Sequence, residues 1–183
     1  MARRAPPKPT ESPEPGPDLS VLSPEAAAYA DPTHSIGYLL RITFRAFSRA
    51  LERRTMAYGV SSGQWRFLRQ LWVEDGLTQR ELSRRVGMRE PTTVVAVNSL
   101  VKAGFVRRAP SDQDRRKVHI HLTPHARALQ IALLPLAAEV NALATAGLAP
   151  AEVEALRRAL RRISDNLADQ LDDAPPTADE GAA

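Results

Sequence analysis

Residues 78–122 read TQRELSRRVGMREPTTVVAVNSLVKAGFVRRAPSDQDRRKVHIHL, and this stretch decides the fold. Thr78-Gln79-Arg80-Glu81 has the form of a capping box, in which the Thr78 hydroxyl accepts from the Glu81 N–H and the Glu81 carboxylate accepts from the Thr78 N–H. The helix it starts turns Leu82 and Val86 inward and stops at Gly87. Arg89-Glu90-Pro91 opens a second helix, with proline where a missing N–H costs nothing. That helix runs to Ala103 and stops at Gly104. Two short helices joined by about four residues with a glycine between them make a helix-turn-helix. Phe105-Val106 then starts a strand, residues 107–116 read as a polar turn, and Lys117 to Leu122 alternates as a strand that buries Val118, Ile120 and Leu122. Strand, basic loop and strand form a hairpin, or wing.

Outward from this centre the chain is helical. Residues 1–32 are rich in proline and read as a mostly disordered arm, with one helical turn starting at Ser23. Residues 33–60 hold a helix in which Ile36, Leu40, Phe44, Phe47 and Leu51 recur at three-to-four spacing between arginines, a stripe wide enough for a partner helix. Ser61 or Ser62 caps the next helix, whose apolar side is Trp65, Leu68, Leu71 and Trp72. After the wing, Thr123-Pro124 starts a long helix with Leu129, Leu133, Leu136, Val140 and Leu143 inward and Pro135 as a kink. Pro150 opens the last helix, where Val153, Leu156, Leu160, Ile163, Leu167 and Leu171 form a near-heptad seam. The fold expected is mainly α with a small β-wing: a winged helix-turn-helix lobe over 61–122, helical dimerisation segments over 33–60 and 123–171, and a disordered acidic tail over 172–183.

Charge separates along the 183 residues. Residues 61–122 carry 12 Lys/Arg against 6 Asp/Glu, while 123–183 carry 5 against 9. The positive charge therefore sits in the central lobe, as on a surface facing an anionic polymer. The chain has no cysteine, which excludes disulfides and thiolate metal sites and suits a reducing cytoplasm. No apolar run approaches the ~20 residues needed to span a bilayer, so no membrane association is expected. Ser/His/Asp arrangements, Gly-rich phosphate loops and clustered carboxylates are missing, so an enzyme is not expected, nor is a cofactor.

The second helix of the central unit is the candidate reader of double-stranded DNA. Thr93, Ala96 or Val97, and Leu100 should face the core. Arg89 at its mouth and Pro91, Thr92, Val95, Asn98, Ser99 and Lys102 are left for the groove. Asparagine can bond adenine bidentately, hydroxyls can serve bases or phosphates, and valine can pack on a thymine methyl. In the wing, Asp114-Arg115-Arg116-Lys117 sets three cations behind an acid. An arginine at a hairpin tip can enter a narrow minor groove, and the acid can hold a neighbouring guanidinium in one orientation. His119, His121 and His125 form H-x-H-x3-H; they read either as wing histidines near phosphate or as the ligands of a metal-responsive regulator. A helical dimeric scaffold that never binds DNA is the remaining alternative, and it has no need of a basic wing.

The helix order, the lead-in LVKAGFVRR (100–108) and the wing SDQDRRKVHIHLTPHA (111–126) resemble the MarR family of winged helix-turn-helix regulators over residues 34–171. The most specific element is Asp112-x-Asp114-Arg115-Arg116 with Leu122-Thr123 behind it. The resemblance implies a two-fold homodimer acting on palindromic operators, most often as a repressor, and released by a small, frequently aromatic or phenolic acid. It implies that Arg115 or Arg116 is the minor-groove arginine, that Asp114 orients it, and that 91–103 is the reader. It also implies a ligand cleft between dimerisation helices and lobe, which here could include His34, Tyr38, Arg41, Arg45 and Trp65. The reader departs from many relatives in having Val94 and Val95 where polar or basic groups are common.

Overall fold

The computed structural model describes residues 18–110 and 118–172. Its α-helices are α1 (Pro24–Ala28), α2 (Ile36–Thr55), α3 (Ser62–Val73), α4 (Gln79–Val86), α5 (Glu90–Lys102), α6 (Pro124–Ala144) and α7 (Pro150–Asp172). Three strands, β1 (Leu77–Thr78), β2 (Val106–Pro110) and β3 (Val118–Leu122), form one antiparallel sheet in the order β1-β3-β2. The chain divides into two compact units, Met1–Ala46 and Phe47–Ala183, with the division inside α2.

In the first unit, Ser23 caps α1 with its hydroxyl accepting from the Ala26 N–H. Pro32–His34 is a 3-10 turn, not yet the helix expected from residue 33, and Asp31 accepts from the Thr33 N–H at 2.9 Å. Helix α2 begins after it, at Ile36, with the Ser35 hydroxyl accepting from the Tyr38 N–H.

The second unit is built around α3, whose Phe67, Leu68 and Leu71 are buried against Leu82 of α4, Val97 and Leu100 of α5, Ile120 and Leu122 of β3, and Leu133 of α6. Burying a side chain of this size contributes roughly 1.5–3 kcal/mol. Among the described residues the buried polar side chains are satisfied: Thr55 Oγ1 donates to the Val60 carbonyl at 2.6 Å. Trp72 Nε1 donates to the Ala126 carbonyl at 2.9 Å, which ties α3 to α6.

Four sequence expectations change. The stretch 107–116 reads as a polar turn from its first residue, yet β2 continues to Pro110, with Arg107 opposite His121 and Arg108 opposite Ile120. The ladder is a backbone interaction, and an exposed strand does not need alternating side chains to keep it. Val118 is exposed, because it sits at the far end of β3, beyond the α3 core. Leu143 is 62% exposed, since α6 outruns the lobe, while Ala126 and Ala137 bury instead. Finally, α6 is long and apolar enough to cross a membrane by length and composition. The alanines between its leucines keep the segment apolar, and Leu129, Leu133, Ala137 and Val140 on one face are buried inside the protein. Pro135 lies inside α6 without ending it.

Candidate nucleic-acid interface

The turn between α4 and α5 is fixed by local chemistry. The capping box at Thr78 is complete: Thr78 N–H donates to Glu81 at 2.8 Å, and Glu81 N–H to the Thr78 hydroxyl at 3.3 Å. The Thr78 hydroxyl and N–H hold the Glu81 carboxyl below its usual range. Gly87 takes a left-handed conformation, φ 67°, that closes α4, a conformation costly for most side chains. The chain then returns through Met88, whose N–H donates to the Ser83 carbonyl and whose carbonyl accepts from the Ser83 hydroxyl. Arg80 reaches Glu90 at 3.7 Å, joining the starts of the two helices across the turn.

Helix α5 presents the expected face. Thr93, Val97 and Leu100 are fully buried, and Pro91, Thr92, Val95, Asn98, Ser99 and Lys102 are exposed. Arg89 occupies the N-cap without a side-chain cap bond, so its guanidinium is not used to close the helix. Two of the exposed polar groups are not isolated. Asn98 Oδ1 accepts from Arg108 Nη2 of β2 at 2.7 Å. Ser99 Oγ accepts from Gln64 Nε2 of α3 at 3.2 Å. Gln64 in turn completes a second capping box, with its Oε1 accepting from the Ser61 N–H at 3.0 Å. Arg108 and Gln64 were missed in the sequence. The Ser61-x-x-Gln64 spacing could have signalled the box, but nothing local signals Arg108.

The wing is fastened at its base. Asp75, between α3 and β1, accepts from the Leu122 N–H of β3 at 2.8 Å and bonds Arg127 of α6, with His121 Nδ1 at 3.6 Å. Asp114, Arg115, Arg116 and Lys117 lie outside the described residues.

His119 and His121 lie side by side with ring centroids 6.3 Å apart, but each of the three histidines has a different partner. His119 Nδ1 faces the Gly76 carbonyl at 2.6 Å, His121 faces Asp75, and His125 stacks on Phe105 at 6.0 Å. Among the described residues no group of three His, Cys, Asp or Glu side chains is placed to hold a metal ion. Of the candidate ligand residues, Arg41 lies over the Tyr38 ring at 5.2 Å, His34 pairs with Asp31 at 3.5 Å, and Arg45 is exposed. Trp65 is a core residue, edge-on to Trp72 with centroids 5.5 Å apart.

Comparison with known proteins agrees with this geometry. The MarR family model matches residues 58–117. The HTH-type transcriptional repressor NicR of Pseudomonas putida is 27% identical over 136 residues, covering 74% of this chain and 86% of that protein. The crystal structure of the transcriptional regulator PA3341 is 36% identical with a TM-score of 0.66, covering 74% of this chain and 99% of that one. A MarR transcriptional regulator from Methanosarcina mazei superposes with a TM-score of 0.69 at 26% identity, over 73% of this chain and 96% of the other. A basic lobe with a helix-turn-helix and a wing, matched along its length by such regulators, places this chain in the MarR family of DNA-binding transcriptional regulators.

Proposed function

We propose that the chain is a repressor that binds palindromic operators as a homodimer in the cytoplasm. The observation that carries this reading is the polarity of α5. Its buried Thr93, Val97 and Leu100 seat it on the lobe, and Pro91, Thr92, Val95, Asn98, Ser99 and Lys102 are left exposed in the segment that holds the positive charge. Such a helix fits the major groove, with phosphate contacts setting register and base edges setting sequence. In the proposal Arg115 or Arg116 enters the adjacent minor groove, oriented by Asp114, with Lys117 on phosphate. The dimer reading is supported by α7, where Leu156, Leu160 and Leu167 are exposed along one seam in the single chain. Burying such a seam against a second copy is the ordinary way to remove it from water.

The effector reading centres on Tyr38 and Arg41, with His34 and Arg45 a turn away on either side. A guanidinium beside an aromatic face suits a carboxylate carried on a ring. Trp65 is left out of that set, since its ring is spent on packing. Replacing Arg116 tests the DNA reading: Arg116→Ala should weaken operator binding more than ~10-fold with the dimer intact. Unchanged affinity at physiological salt would refute the wing's role.

A further inference from the structure

The bond between Arg108 and Asn98 changes which base α5 is built to read. An asparagine amide has an acceptor oxygen and a donor nitrogen. To read adenine it needs both, the oxygen accepting from N6 and the nitrogen donating to N7. Here Asn98 Oδ1 accepts from Arg108 Nη2 at 2.7 Å, a length typical of charge-assisted bonds. Guanidinium only donates, so this partner also decides which end of the amide is oxygen. The amide then offers its Nδ2 donors together with the remaining guanidinium N–H groups, and one lone pair of Oδ1 is taken.

The neighbouring group has the same polarity. Gln64 Oε1 accepts from the Ser61 N–H, which leaves Nε2 to donate to Ser99 Oγ. The Ser99 hydroxyl keeps a proton that it can donate, and Lys102, one turn on, can only donate. An adenine here would bring its N6 amino group against a cation and have to share the Asn98 oxygen with the Arg108 guanidinium. Guanine offers N7 and O6, both acceptors.

We infer that Asn98 and Arg108 act as one composite reader that selects guanine over adenine at the base step facing the third turn of α5. The inference rests on the reading of α5 as the major-groove helix. Arg108 is both a positioning residue for Asn98 and a donor to the base.

The test is selection from randomised duplex DNA by the full-length protein, followed by titration of the selected site and its single-base variants. The wild type should prefer guanine to adenine at one position of each half-site by ~10-fold. Arg108→Ala removes the cation that competes for the Asn98 oxygen and should move that position toward adenine. Asn98→Asp keeps the Arg108 bond but removes the Nδ2 donors, and should weaken the guanine preference. Both side chains are exposed, so both variants should fold, as thermal melts would verify. Should Arg108→Ala weaken all sequences equally with the preference unchanged, Arg108 is a phosphate contact and the inference is overturned. Adenine preferred by the wild type at that position overturns it too. If Asn98→Ala and Thr92→Ala both leave the whole preference profile unaltered, the α5 reading falls and the inference with it.

Discussion

Replacing Asp75 with alanine should loosen the base of the wing by a predictable amount. The Asp75 side chain is 19% exposed and hydrogen-bonds two unlike groups, with His121 Nδ1 farther off at 3.6 Å. One is the N–H of Leu122, a buried residue on β3 whose bond to Asp75 measures 2.8 Å. Leaving a buried N–H without its acceptor costs about 1–3 kcal/mol. The other is the guanidinium of Arg127, which is 57% exposed, so solvent screening reduces its share to under ~1 kcal/mol. The loss should therefore be roughly 2 kcal/mol. In a chain of this length that corresponds to a fall in Tm of about 4–8 °C. Asp75→Asn keeps an oxygen for the Leu122 N–H and loses only the charge, so it should fall by less than about half as much. Circular dichroism melts of the two variants at neutral pH measure both values. A Tm for Asp75→Ala within about 1 °C of the wild type, or equal falls for Ala and Asn, would refute the assignment of the backbone bond as the main contribution.

Two further outcomes follow from the caps and the seam. Thr78→Ala should cost about 1 kcal/mol at neutral pH by removing a capping box. Because the folded Glu81 carboxyl titrates below its ordinary 4.5, the wild type's advantage should be complete well above that pH. It should fade as the pH drops through 4.5 and the lower folded value; denaturant titrations showing an advantage that grows on acidification would contradict the capping role. A chain ending at Ala149 should run as monomer or aggregate in size-exclusion chromatography with light scattering, whereas a clean dimer would mean that α7 is not the seam.

The features legible in the sequence were those that local chemistry fixes. Thr78, Glu81, Gly87 and Gly104 set the ends of α4 and α5 within a few residues, and the buried Thr93, Val97 and Leu100 follow from helical spacing. Less legible were features set by distant partners. The extension of β2 to Pro110 depends on its pairing with β3, and Arg107 and Arg108 carry no alternation that announces it. Asp75 meets Leu122 across 47 positions and Gln64 meets Ser99 across 35. No residue near Asp75 or Gln64 in the chain identifies those partners. Period alone places Leu143 and Val118 in the core, but both are exposed near the ends of their elements. Asn98 shows the consequence for function: an asparagine on the free face suggests adenine, and a bonded partner ten residues away sets a guanidinium beside the oxygen that adenine would need.

The most direct test of the central claim is the affinity of the full-length protein for duplex DNA from its own upstream region, followed by fluorescence anisotropy as salt is raised from about 50 to 200 mM. A repressor that neutralises several phosphates through α5 and the wing should bind this DNA better than unrelated duplex. Its log affinity should fall linearly and steeply with log salt, with a slope near −0.9 for each phosphate contacted. A flat salt response, or equal affinity for both duplexes at every salt concentration, would contradict the account.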